Sequence, residues 1–319
     1  MLRLLRLLAT VGLVTAFAAC SSDDSPPPST SPGTLAEVAQ SNGFSALVAA
    51  ASKAGLTATL SAPNANLTVF APTDAAFATL AGQLGFASAS AMVDALPANA
   101  LANILTYHVL PSRKSAADLA AGGTSLPTAY TYGSSAATLD LVSNSGGLSL
   151  GDAVLTTAKV TTADVPASNG VIHVIDKVLV PPGVLNIVQM AQANPVFSSL
   201  VGAVVAANLQ GTLSGAGPFT VFAPTNDAFA AIQSTVASLT TAQLTEVLTY
   251  HVLAAQVLAA DILFGTPVAT VEGQTITIEA GTPPTIVDTT STPAHIVATD
   301  VHASNGVIHV VDKVLIPAL

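Results

Sequence analysis

Six histidines, four tyrosines and a single cysteine carry most of the side-chain chemistry available to this 319-residue chain. Histidine near neutral pH can serve as a general base, a metal ligand or a neutral internal donor and acceptor. Its spacing decides among these. Tyr107-His108 and Tyr250-His251 occur in identical words, LTYHVL at 105–110 and at 248–253. His173 and His309 occur in a second repeated phrase, ASNGVIHVIDKVLVP at 167–181 and ASNGVIHVVDKVLIP at 303–317. His295 and His302 have no first-copy partner. With His309 they are seven residues apart, which matches no familiar metal-ligand motif, so no metal is expected. There is no G-x-S-x-G, G-x-x-x-x-G-K-[ST], H-E-x-x-H or G-x-G-x-x-G pattern. No catalytic residue and no cofactor are therefore assigned. Serines and threonines are plentiful, but abundance places no base beside them. An envelope hydrolase would need unrecognised chemistry and ranks last among the functions weighed.

Repetition favours structural work for the matched histidines. Two copies need the same fold, but nothing requires both to keep the same chemistry. His108 and His251 fall at a helix end, where a donor to the last carbonyls is favoured. His173 and His309 fall in a buried strand. Tyr107 and Tyr250 are open to two readings: a packed ring with its hydroxyl aimed at a neighbour, or direct contact with a partner.

The elements that must position these residues are also written twice. LTVFAPTDAAFATL at 67–80 matches FTVFAPTNDAFAAI at 219–232. Each reads as a short buried strand stopped by Pro72 or Pro224. Thr73 or Thr225 then caps a helix, with Asp74 or Asp227 in its first turn, where the dipole favours anions. Phe77 and Phe229 should point inward. Leu101, Ile104, Leu105 and His108 show helical spacing, as do Leu244, Val247, Leu248 and His251. A variable β-rich region follows in each copy. The closing phrase begins with Asn169-Gly170 or Asn305-Gly306, read as a tight turn whose residues tolerate positive φ. A buried strand running to Pro181 or Pro317 comes next. Asp176-Lys177 and Asp312-Lys313 read as solvated charges at its edge.

Composition bounds the function. Charged residues make up 8% and aromatics 4% of a chain that is 50% hydrophobic, and the sequence pI is 4.7. These values argue against a nucleic-acid binder. Residues 1–19 have Arg3 and Arg6 ahead of an apolar run, a secretory signal pattern too short to span a bilayer. Cys20 directly follows Phe17-Ala18-Ala19, like a bacterial lipoprotein processing site at which the cysteine is lipidated; leucine is more usual in place of Phe17. Residues 20–33, rich in Ser and Pro, then form an extended tether. Without residues 1–19, six basic residues face eighteen acidic ones, a net charge of −12.

Three motifs now stand in order, twice: TVFAPT with a following Phe, Tyr-His at a helix end, and NGVIHV-DKVL-P. Together they resemble the fasciclin (beta-Ig-h3) domain family, over residues 34–182 and 183–319. The resemblance implies an α/β fold of α+β type, in which each domain is a wedge of mainly antiparallel strands packed with several helices. It implies extracellular or membrane-anchored adhesion, and ties the Tyr-His pair, here Tyr107-His108 and Tyr250-His251, to partner binding. The expectation is a non-enzymatic binding protein held in a bacterial envelope, at the outer membrane or cell surface, through a lipid on Cys20. Its partner would be a matrix or cell-surface protein or a polysaccharide. The alternative is a carrier of an apolar small molecule, suggested by a mean hydropathy of +0.63.

Overall fold

A computed structural model describes residues 32–144 and 147–319. The signal pattern, Cys20 and the tether to Ser31 lie outside the described residues. Each copy builds one seven-stranded sheet. In the first copy the strands are β1 (Leu67–Pro72), β2 (Val109–Leu110), β3 (Ser125–Tyr132), β4 (Ser135–Asn144), β5 (Gly147–Gly151), β6 (Thr157–Ala167) and β7 (Gly170–Ile175). In the second they are β8 (Phe219–Pro224), β9 (Val252–Leu253), β10 (Pro267–Ala269), β11 (Thr275–Glu279), β12 (Thr285–Val287), β13 (Ala294–Ala303) and β14 (Gly306–Val311). The spatial orders are β2-β1-β7-β6-β5-β4-β3 and β10-β11-β12-β13-β14-β8-β9, the same arrangement with the second written in reverse. Among the described residues β1 with β7 and β8 with β14 run parallel, and the other neighbouring pairs are antiparallel.

The parallel seam is the least exposed part of each sheet. All six residues of β14 are buried, as are five of six in β1, β7 and β8. Strands covered on both faces read as continuous apolar runs, and TVFAP and GVIHV do so. Thr68 and Thr220 interrupt that run, yet both are 0% exposed. Their hydroxyls donate to Ser112 O and Ala255 O and accept from the N–H groups of Lys114 and Val257, at 2.7–2.8 Å. A buried hydroxyl satisfied on both sides carries no desolvation penalty.

Helices cover one face. Thr73 caps Asp74–Gln83 by accepting from Ala76 N–H, and Thr225 caps Asn226–Ala231 by accepting from Ala228 N–H. Phe77 and Phe229 are buried. The residue equivalent to Asp74 is Asn226 rather than Asp227. Asp74 accepts from Ser45 Oγ and Ala46 N–H, and Asn226 accepts from Ser198 Oγ and Ser199 N–H. Both tie the start of one helix to the start of an earlier one; Asp227 remains in the first turn without that link.

One apolar core runs along the helical side of both copies, while each sheet closes its own second core, around Tyr107 in the first and Tyr250 in the second. Where the copies meet, Tyr130 donates to Pro182 O, Gly183 N–H to His302 O, and Asn194 Nδ2 to Val154 O. Gly183, at φ +74°, lies against the Tyr132 ring, which a Cβ there would meet at 2.2 Å.

Candidate functional site

The repeated polar residues converge at the parallel seam of each copy, and they point inward. The helix Ala98–Tyr107 ends beside β2, and Thr241–Tyr250 ends beside β9. Tyr107 is 1% exposed, His108 1%, Tyr250 0% and His251 2%. The tyrosine hydroxyls donate to Thr138 O and Thr275 O, each at 3.0 Å. Burial, reinforced by nearby carboxylates, pushes both phenols up from their ordinary value. All four side chains are packed inside the fold, with their polar atoms turned to backbone partners.

His108 and His251 each span two segments. Nδ1 lies 2.7 Å from Ile104 O or Val247 O, so Nδ1 carries the proton. Nε2 accepts the N–H of Leu179 or Leu315, at 2.9 and 2.8 Å. Burial lowers both imidazoles to about 4. His173 and His309 are 0% exposed and use the opposite tautomer. Their Nδ1 atoms accept from Asp164 N–H and Asp300 N–H, at 3.2 and 3.3 Å. Their Nε2 atoms face Lys114 O and Val257 O, at 3.0 and 2.8 Å. The rings lie beside Phe70 and Phe222 at 5.7 Å.

Asn169 and Asn305 serve through their side chains. Asn169 accepts from Leu35 N–H and donates to Leu60 O and Ala62 O; Asn305 accepts from Ile187 N–H and donates to Leu213 O and Gly215 O. Each fixes the start of its copy's first helix to the seam. The glycines follow from close approach more than from turn geometry. A Cβ on Gly170 would fall 2.3 Å from Leu67 O, and on Gly306 2.0 Å from Phe219 O. Of these two glycines Gly306 alone adopts positive φ, and neither Asn169 nor Asn305 does.

The closing lysines are not solvated edge charges. The strands end at Ile175 and Val311, short of the prolines, and the chain turns inward. Lys177 Nζ lies 3.6 Å from Asp152 Oδ2, and Lys313 Nζ lies 2.7 Å from Asp288 Oδ2; both aspartate side chains are fully buried. Asp152 also accepts from Thr156 N–H, Thr156 Oγ1 and Val180 N–H. Asp288 accepts from Thr290 N–H, Thr290 Oγ1 and Ile316 N–H. Lys313 additionally donates to Thr290 Oγ1 at 2.6 Å, whereas Lys177 Nζ makes no hydrogen bond among the described residues. Burial pushes the Asp152 carboxyl up and the Lys177 ammonium down. At Asp288 burial also pushes upward, but Lys313, Thr290 and Ile316 outweigh it, and the carboxyl is lowered. Asp176 and Asp312 do remain exposed, accepting from Lys159 N–H and His295 N–H.

His295, His302 and His309 do not converge. His295 pairs with Asp312 at 2.8 Å on the surface, His302 lies against Tyr132 with ring centroids 5.0 Å apart, and both nitrogens of His309 are engaged.

This frame, built twice, coincides with the comparison to known proteins. The Fasciclin domain matches residues 42–181 and 195–317. The chain belongs to the fasciclin domain family. Protein sll1483 of Synechocystis sp. is 39% identical over 139 residues, covering 42% of this chain and 75% of that protein. Transforming growth factor-beta-induced protein ig-h3 of Sus scrofa is 31% identical over 258 residues, covering 79% of this chain and 35% of its own. The chain thus spans about a third of that animal relative. A solved FAS1 domain pair from the insect cell adhesion molecule Fasciclin I superposes with a TM-score of 0.42 at 18% identity, covering 89% of this chain and 95% of that one. Each match of the Fasciclin domain contains one Tyr-His pair, one buried Asp-Lys pair and one closing strand.

Proposed function

We propose that the chain is an exported, non-enzymatic adhesion or binding protein, tethered in a bacterial envelope by a lipid on Cys20 and acting through its two fasciclin domains. The observation that carries this reading is the inward direction of the repeated polar groups. Tyr107, His108, Asp152, Asn169 and His173, with their second-copy counterparts, spend their donors and acceptors on the fold itself. Recognition then falls to the outer surfaces of two domains on one tether, an arrangement that raises avidity for a partner with repeated sites. A matrix or cell-surface protein, or a polysaccharide, fits that geometry.

The apolar-carrier alternative has one cavity in its favour, of about 90 Å³, beneath the first helices of the first copy. That is below the roughly 150 Å³ that accommodates benzene, so it ranks second.

The test is binding of the full chain to immobilised matrix proteins, envelope polysaccharides and whole cells, with Cys20→Ser followed in parallel by membrane fractionation. Saturable binding, together with release of Cys20→Ser from membranes, is the expected result. A Cys20→Ser chain that stays on the membrane overturns the anchor, and absence of saturable binding overturns the adhesion role.

A further inference from the structure

The two copies differ at two places where the repeat would make them alike. The first is a loop. Leu119-Ala120-Ala121-Gly122 of the first copy corresponds to Ile262-Leu263-Phe264-Gly265 of the second. The first-copy alanines finish the helix Ala116–Ala121. In the second copy the helical turn stops at Asp261, and Leu263 and Phe264 are presented at 70% and 46% exposure. Adjacent exposed leucine and phenylalanine side chains at a loop tip form a protrusion that loses free energy of hydration to no purpose within the monomer.

The second place is a cavity. The first copy encloses about 90 Å³ between its first three helices and the seam; the corresponding space in the second copy is about 30 Å³. Two lining positions carry larger side chains in the second copy. Ala36 and Ala51 of the first copy stand where the second has Val188 and Val204. The wall is apolar, with Leu47, Val69 and Leu105 at its depth, and exposed Gln40 and Thr57 mark where it opens. Its volume suits a branched four-carbon side chain and excludes an aromatic ring, which needs the larger space that benzene fills.

We propose that the second copy of one molecule docks on the first copy of another, Leu263 entering the cavity below Ala36 and Ala51 while Phe264 covers the mouth. This deepens the adhesion reading and rests on it, by naming a second copy of the chain as one partner. Both copies are acidic, so net charge opposes the contact, but less than it opposes a pairing of two second copies. Residues 34–182 hold five basic and eight acidic side chains, and residues 183–319 hold one and eight. Two second copies would meet as net −7 against −7; a second copy against a first meets −3. The protrusion and the cavity belong to different domains, so the contact is heterologous and every molecule offers one of each.

The molecule supplies its own test variants. Leu263→Ala/Phe264→Ala gives the second-copy loop the residues the first copy already folds with. Ala36→Val/Ala51→Val fills the cavity as the second copy already does. Sedimentation velocity of the full chain, with Cys20→Ser in every arm to exclude lipid, is run over a concentration series into the high micromolar range, with thermal melts to show that each variant is folded. The unaltered pair of sites should associate, and each double variant should weaken association tenfold or more. A mixture of the two variants should recover a one-to-one pair and go no further, since one intact loop meets one intact cavity. A chain that stays monomeric throughout, variants that associate undiminished, or a mixture that forms no pair overturns the proposal. So does loss of vesicle binding in the loop variant beside a monomeric parent, which would make the protrusion a membrane contact. Binding to immobilised matrix or polysaccharide that survives in both variants would leave the adhesion role standing without this contact.

Discussion

The backbone N–H of Leu179 donates to His108 Nε2 across 2.9 Å, so the imidazole keeps that bond only while it is uncharged. His251 and Leu315 repeat the relation at 2.8 Å. Protonation would turn Nε2 into a donor facing a donor, inside a buried site.

Acid should therefore destabilise the protein through these two residues. Their folded values lie near 4, against an ordinary 6.5. Between those limits the unfolded chain takes up protons that the folded chain refuses, so stability rises with pH across the window and is lost as pH falls from 6.5 to 4. The linkage amounts to about 3 kcal/mol for each histidine. Denaturant melts at half-unit pH steps should show that slope, and His108→Gln should remove the first-copy share. An unchanged slope in the variant would assign the acid sensitivity elsewhere.

The two buried ion pairs should respond unequally to loss of the lysine. Lys313→Met leaves the Asp288 carboxylate without its cation, at a cost of about 3 kcal/mol. Lys177→Met should cost less, because Asp152 is already pushed toward its neutral form by burial and lies farther from its partner. Chemical denaturation of both variants checks the order; equal losses would contradict it.

Asn169→Ala strands the Leu35 N–H at the entry to the first helix and Leu60 O at the end of the third, and leaves Ala62 O with the Ala65 N–H alone, for a loss of about 3 kcal/mol. Gly170→Ala forces a methyl against Leu67 O and should be at least as damaging. The same exchanges at Asn305 and Gly306 should act on the second copy. If hydrogen exchange finds the helix Leu35–Ser41 equally protected in Asn169→Ala, the side chain is not what fixes it.

Tyr107→Phe and Tyr250→Phe separate packing from recognition. Each removes one hydrogen bond to a carbonyl and should cost about 1 kcal/mol while leaving partner binding unchanged. A variant with native stability and lost binding would return the tyrosines to the recognition surface.

Much of the fold was legible because it is written twice. The TVFAPT strand, the Thr73 and Thr225 caps and the helix ending in Tyr-His were readable from periodicity and from matched words. What escaped lay between the words. Asp152 and Asp288 sit in the variable β-rich region, where no phrase repeats, yet they are separated by 136 residues, the same offset as Lys177 and Lys313. Carrying that offset back from the closing phrase would have found the buried pairs. Thr68 and Thr220 passed as ordinary strand residues, because threonine suits a strand whether or not its hydroxyl is needed. The cavity could not be read at all: alanine against valine at two positions carries meaning only once their side chains are known to face the same space.

The parallel pairing of β1 with β7, and of β8 with β14, gives each copy a mechanical character. Tension applied through the ends of a copy reaches β1 from its beginning and β7 from its finish, and so pulls two parallel strands in opposite directions along their length. Their six register pairs, Leu67 opposite Gly170 through Pro72 opposite Ile175, are then sheared together instead of being peeled apart in sequence. Bonds loaded in this way fail all at once and late. Force–extension records should show each copy yielding in one abrupt event; a low, stepwise plateau would mean that the load enters by another route.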